Sequence, residues 1–380
     1  MTFSSVLPIL LTIALFALII VFHEFGHFIV AKLSGIPVYE FALGFGRPVL
    51  LSFKRRETQY SLRPVPIGGY VRIAGMEPDE EVPNGFDKKP VLTRLAVIAS
   101  GSGMNFVLAI ILFWIMGMAF GKVVGRTTGI GRVMAGSPAA AAGIQVGDVL
   151  VFTEPVPVGE PSPEVKATSK PQRKMSLEQL RAVISSRPDM PIRLVVRRGR
   201  NYLAFHVVPQ PRQEQELELL RNGKSRIVTR TIGLIGVVFA EVTTPQGFIE
   251  SVAAGFVEVY ATTKALIVAL FLTVIGKLPA AVGGPLQITD IMADAVRVGW
   301  RQFLLWSALI SINVGVINLL PVPALDGSRL VFIAIGGIRR RPIDRRKEAI
   351  VHLIGFALLL LLLALVTYKD LLHLIDKYLG

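Results

Sequence analysis

Long apolar blocks alternate along the chain with polar segments punctuated by glycine and proline. The first block runs from about residue 7 to 31 and carries no charge between Leu7 and Phe22. At about 25 residues it is long enough to cross a bilayer as a tilted helix. Comparable blocks cover residues 95–120, 303–320 and 349–367, so the pattern predicts four transmembrane helices. Residues 253–277 are also apolar, but Glu258 and Lys264 interrupt them. The uncharged run that remains, 265–276, is too short to span and predicts a helix lying on the membrane surface.

Between the blocks the period changes. Residues 37–41, 60–63 and 70–73 read as short strands, set among Gly44, Gly46, Pro48, Pro64, Pro66, Gly68 and Gly69. This predicts a small membrane-associated β-hairpin sheet, whose edge can take up an extended peptide. Residues 126–210 read as a soluble α+β domain. Ser137-Pro138 opens a short helix, Ser176 caps an amphipathic one, and residues 192–197 and 202–207 form a hairpin. Residues 154–174, rich in proline and charge, read as a flexible insertion. A strand is expected at 231–238 and a tight turn at Gly283-Gly284-Pro285. The expected organisation is an N-terminal membrane core (1–125), an inserted domain (126–210), a connector carrying the surface helix (211–302) and a C-terminal membrane core (303–380).

Composition agrees with a membrane protein, since 52% of the residues are hydrophobic. The net charge of +14 does not point to nucleic acid. Its clusters, Arg339-Arg340-Arg341 and Arg345-Arg346-Lys347, flank apolar blocks as cytoplasmic loops do. The chain has no cysteine, which excludes disulfides, thiolate ligands and a cysteine nucleophile; any metal site must use His, Asp or Glu. The first block has no basic n-region and no small-residue cleavage site before His23, so it reads as a retained anchor.

That block contains His23-Glu24-Phe25-Gly26-His27. Ionisable groups within a span are costly and mark a functional site by default. On a helix His23 and His27 lie one turn apart on one face and can reach the same ion, and Glu24 beside them can take a proton from water. The third span ends in Asn318-Leu319-Leu320-Pro321-Val322-Pro323-Ala324-Leu325-Asp326-Gly327. Its prolines stop the helix and leave the Asp326 carboxylate at the mouth. Asn313 and Asn318 are polar within that span. The second opens on Gly101-Ser102-Gly103-Met104-Asn105, where small residues permit close helix approach and Asn105 serves as an interhelical hydrogen bond or an active-site group. Two other classes compete: a metal transporter, and a non-catalytic membrane-anchored peptide-binding adaptor. The first leaves the strand-like loop without a purpose and the second leaves Glu24 without one. A secreted zincin would lose its His pair with its signal peptide.

The His-Glu-Phe-Gly-His string, the Gly-x-x-x-Asn start of the second span and the Asn-x-x-Pro-x-Pro-x-Leu-Asp-Gly end of the third resemble the bacterial site-2 protease family of intramembrane zinc metalloproteases. The string from Gly136 to Asp148 resembles a PDZ domain, and one such stretch points to the regulator-of-sigma-E protease type with a single PDZ domain. The resemblance covers about residues 7–367. It implies a polytopic α-helical protein of the bacterial cytoplasmic (inner) membrane, with about four transmembrane helices, a membrane-associated β-hairpin sheet and an inserted extracytoplasmic α+β PDZ-like domain. It further implies Zn2+ held by His23, His27 and Asp326, with Glu24 as general base. Asn313 and Asn318 match substrate-holding positions. Asn105 is a candidate for oxyanion support, and Gly68, Gly69 and Tyr70 lie in the substrate-aligning sheet. Implied substrates are single-span membrane proteins cut in or near the bilayer, such as anti-sigma factors or signal-peptide remnants, with a peptide or substrate ectodomain at the PDZ-like domain. Ser102 and Ser328 stand where the family often has Pro and Gly. With the N-terminus outside, the positive-inside rule puts the basic loops at 47–63 and 339–347 and the His-Asp cluster toward the cytoplasm.

Overall fold

The computed structural model describes residues 3–379 apart from 78, 79, 81, 135, 157–165, 169, 170, 172, 220–224, 279–283 and 342. Most of the expected insertion at 154–174 and the turn residue Gly283 lie outside the described residues. The chain forms two compact units, one of Met1–Ala119, Gly247–Leu270 and Ala281–Gly380, the other of Phe120–Gln246 and Phe271–Ala280.

The first unit begins with α1 (Phe3–Leu33), four strands β1 (Val38–Phe45), β2 (Leu51–Arg55), β3 (Thr58–Leu62) and β4 (Val65–Ile73), and α2 (Val91–Phe120). Helices α1 and α2 cross at van der Waals distance because neither has a side chain at the crossing. A Cβ on Gly26 would fall 2.1 Å from the Ser100 carbonyl oxygen. Leu15 and Ile19 of α1 are buried against Leu108 and Leu112 of α2. Each such side chain contributes roughly 1.5–3 kcal/mol when taken out of water; in lipid, the close fit itself carries the association.

The strands form one sheet in the order β2-β3-β1-β4, with β1 parallel to β3 and antiparallel to β4. The three expected strands correspond to β1, β3 and β4, but they lie in a mixed sheet with β2 added at its edge rather than in a simple hairpin. Strand β2 is exposed along its whole length, so it shows none of the alternation by which a half-buried strand is recognised. Phe28 of α1 docks the sheet through edge-to-face contacts with Phe41 and Tyr60, at centroid distances of 5.3 and 6.0 Å. Glu40 ties three strands together, accepting hydrogen bonds from Ser61, Arg63 and the Tyr70 hydroxyl. Burial pushes its carboxyl pKa up, but these bonds outweigh burial and leave it below its ordinary value.

The second unit comprises β5 (Lys122–Val133), α3 (Pro138–Ala141), β6 (Val149–Pro155), β7 (Lys166–Thr168), α4 (Leu177–Ser185), β8 (Ile192–Arg198), β9 (Asn201–Val207), β10 (Gln210–Leu219), β11 (Ser225–Leu234) and β12 (Val237–Thr244). Its main sheet has the order β12-β5-β6-β8-β9-β7, and β10 pairs with β11 alone. The expected strand at 231–238 is thus two strands, parted at Gly236 where φ is 74°. The Ser137 and Ser176 caps are present, the latter as a capping box with Gln179. Asp148, 1% exposed, takes a bidentate bond from Arg198 at 2.7 and 2.8 Å.

Five helices follow: α5 (Phe248–Val274), α6 (Pro285–Val298), α7 (Trp300–Leu319), α8 (Asp326–Ile338) and α9 (Arg345–Leu379). Among the described residues five stretches are long and apolar enough to cross a membrane: Leu7–Leu33, Val91–Phe120, Phe248–Val274, Trp300–Leu319 and Arg346–Leu371. The expectation that residues 253–277 are too short to span is corrected on length. Glu258 and Lys264 are exposed and do not break the helix, because Glu and Lys are good helix formers.

Helix directions follow from the contacts. Gly26 meets Ser100 and His23 meets Asn105, so α1 and α2 are antiparallel. Ser311 donates to the Asn105 carbonyl and Gly315 meets Ser102, so α7 is antiparallel to α2 and runs with α1. Phe248 meets Trp114 and Gly255 meets Ile110, so α5 also runs against α2.

Candidate metal centre

The parallel course of α1 and α7 carries the residue after the third apolar block to the depth of His23. Helix α7 stops at Leu319, and the chain turns through two prolines and Ala324, whose φ is 78°. Asp326 then opens α8. The turn closes on itself: a Cβ on Gly327 would lie 2.1 Å from the Leu320 carbonyl oxygen. Its outer side is braced by α9, where His352 Nδ1 accepts the Ala324 N–H at 3.2 Å.

Asp326 Oδ2 lies 3.0 Å from His23 Nε2 and 3.1 Å from His27 Nε2, and the two ring nitrogens are 3.2 Å apart. The opposite side of the His27 ring identifies its tautomer. Nδ1 lies 2.8 Å from the Val97 carbonyl, which can only accept, so Nδ1 carries the proton and Nε2 of the neutral ring presents a lone pair. Two imidazole nitrogens and one carboxylate oxygen therefore converge within 3.2 Å of one another. Two imidazoles and a carboxylate form a donor set suited to zinc. Their separations approach the about 3.3 Å edge of a tetrahedron with metal–ligand distances of about 2.0–2.1 Å. Among the described residues this is the only such group of three potential ligands.

Asn105, fully buried, places its amide 3.3 Å from His23 Nδ1. With the amide oxygen turned toward the ring it would accept from Nδ1–H and free Nε2 for a metal, as Val97 does for His27. The other amide atom is buried without a partner.

Glu24 faces the sheet. A Cβ on Gly69 would lie 3.5 Å from Glu24 Cγ. Gly68, Gly69 and Tyr70 thus lie on β4, an edge of the sheet passing beside Glu24. The Tyr70 hydroxyl is occupied by Glu40 at 2.8 Å, and its ring stacks on Phe45. Asn313 returns its amide to the Leu309 carbonyl of its own helix at 2.8 Å, and Asn318 is half-buried with no side-chain hydrogen bond among the described residues. Neither is brought against the His-Asp group by a hydrogen bond.

Sequence reasoning missed Val97 and His352. Val97 acts through its backbone carbonyl, which any residue could supply. His352 acts on a turn 28 residues away, and nothing in its own neighbourhood signals that turn.

The model of peptidase family M50 matches residues 11–362. A zinc metalloprotease RasP of Oceanobacillus iheyensis is 31% identical, with 94% of this chain and 97% of that protein covered. The regulator of sigma-W protease RasP of Bacillus subtilis is 27% identical, with 94% of this chain and 96% of that protein covered. A match that takes in both the His pair and Asp326, and a relative of 31% identity covered almost end to end, make this chain a member of peptidase family M50.

Proposed function

We propose that His23, His27 and Asp326 hold the zinc ion of an intramembrane metalloendopeptidase and that Glu24 is its general base. The supporting observation is the convergence of His23 Nε2, His27 Nε2 and Asp326 Oδ2 within 3.2 Å of one another, with His27 Nδ1 held by the Val97 carbonyl. When bound, zinc supplies a Lewis acid that polarises a carbonyl and acidifies water. Glu24 takes the proton of the attacking water and returns it to the departing amine, which must be protonated to leave. Asn105 holds the His23 ring, and its spare amide atom is the candidate for oxyanion support. A helical substrate hides its carbonyls in its own hydrogen bonds, so the cut segment must be extended. The β4 edge beside Glu24 offers the backbone partners for that, with Gly68, Gly69 and Tyr70 on the added strand's neighbour. Asn313 and Asn318 act further out, on α7, as substrate-holding amides.

The substrates are single-span membrane proteins, anti-sigma factors or signal-peptide remnants among them; the Bacillus subtilis relative's name supports the first. The domain at 126–210 is read as a PDZ-like domain on the extracytoplasmic side, receiving a peptide or substrate ectodomain. In proteoliposomes, a single-span substrate is expected to be cut within or beside its span. Chelation should stop the cutting and zinc should restore it, with products mapped by mass spectrometry. Cleavage unaffected by chelation sinks this reading.

We place four crossings in a bacterial cytoplasmic membrane, with the His-Asp group toward the cytoplasm. Helices α5 and α7 run the same way, so if α5 crossed, residues 275–299 would have to return. Helix α6, at 14 residues, spans about 21 Å, less than the hydrocarbon core of about 30 Å. The chain lacks cysteine, so Gly247→Cys and Lys277→Cys can each be labelled alone. Both should react from the same, extracytoplasmic side; reaction from opposite sides overturns the four-crossing topology.

A further inference from the structure

A cavity of about 680 Å3 opens where α2 and α9 begin, closed on a third side by the second half of α8. Its size suits a small-molecule ligand. Lys88, Arg94, Arg329, Arg340 and Arg341 line it, against the carboxylates Asp87 and Glu348. These cations come from two stretches of the chain, 88–94 and 329–341. Lys88 lies 3.6 Å from Asp87, whereas Arg94, Arg329, Arg340 and Arg341 have no ion pair among the described residues. Two lining N–H groups are buried without a hydrogen-bond partner, Arg94 Nε and His352 Nε2; Glu348 lies 3.8 Å from the latter. Buried donors left unpaired are costly, and each asks for an acceptor.

Arg340 adds a backbone observation. It ends α8 at φ 53°, a left-handed position where glycine is free of strain and an arginine costs about 1–2 kcal/mol. The remaining wall is apolar, with Val91, Ile98, Phe332 and Ile333. Cations at the mouth, orphaned donors within and an apolar wall beside lipid-facing helices match a phosphodiester attached to hydrocarbon. They do not match a soluble anion, which would gain nothing from the apolar side.

We propose that this cavity binds the headgroup of an anionic phospholipid from the leaflet at which α2 and α9 begin. Basic pockets between helices on that side recognise such headgroups. The lipid braces the starts of α2 and α9 against α8, whose first residue is Asp326, and so ties the metal centre to the charge of the surrounding membrane. This does not rest on the protease reading.

Native mass spectrometry of the full-length protein in detergent tests it, with dioleoylphosphatidylglycerol and dioleoylphosphatidylcholine as probes. The protein should retain phosphatidylglycerol in preference. Replacing Arg94→Gln and Arg329→Gln together should weaken that retention roughly 30-fold, while Lys54→Gln with Arg55→Gln, an equal loss of charge on β2, should leave it unchanged. Arg340→Gln alone, at an exposed position, should weaken it roughly fivefold and serves where the double variant does not fold. Absence of a lipid preference, or equal weakening in the β2 control, overturns the proposal. So does displacement by millimolar inorganic phosphate or by an acidic peptide, which would assign the cavity to a free anion or to a protein segment.

Discussion

In a Glu24→Gln variant, bound zinc is expected to stay at about one per chain while cleavage falls by roughly two to four orders of magnitude. Glutamine keeps the size of the side chain and its packing against Gly69, so the strand β4 beside it need not move. It cannot accept a proton from water. The three metal-ligand candidates are untouched by the change, so the metal readout and the cleavage readout should separate. Zinc content by elemental mass spectrometry and cleavage by product analysis, on one preparation, check this. Near wild-type cleavage would remove Glu24 from the chemistry.

Gly101→Ala is expected to have an effect of similar size by the opposite route. A Cβ at Gly101 would lie 2.4 Å from His27 Nε2 and 2.9 Å from His23 Cε1. That places a methyl group against the nitrogen that faces Asp326, in space a metal ion would need. The added helix propensity of alanine, about 1 kcal/mol over glycine, cannot relieve a contact that close. Bound zinc and cleavage should therefore fall together. Gly103→Ala supplies the control, because nothing lies within 4 Å of a Cβ there. It should retain both. Equal behaviour of the two variants would mean that the α1–α2 crossing tolerates a methyl group and that the metal does not sit where the donors converge.

These two cases show what was legible in the chain. His23, Glu24 and His27 are readable because helical spacing alone puts them together. Asp326 is readable because the prolines at 321 and 323 end a helix at membrane depth. The small residues at 101–103 of α2 read correctly as a close crossing, but not that the crossing is against the ligands themselves. Strand β2 was hidden by its exposure, and the central place of β1 by pairings that are long-range and partly parallel. Helix α5 misled because two exposed charges were taken for breaks in a span. Val97 and His352 act through a backbone carbonyl and a long-range brace, neither of which leaves a local pattern. The PDZ-like reading of 126–210 rests on its string and its caps; the strand pairing of β12 with β5 extends that sheet well beyond the stretch the string covers.

Zinc K-edge absorption on the purified protein tests the metal assignment most directly. The predicted spectrum is a four-coordinate nitrogen and oxygen shell at about 2.0–2.1 Å, with outer-shell scattering from two imidazole rings. In His27→Ala that scattering should halve or the zinc should be lost, and in Asp326→Asn the shell should change while the imidazole signal persists. A zinc with no imidazole scattering, or a spectrum identical in all three proteins, would contradict the assignment of His23, His27 and Asp326.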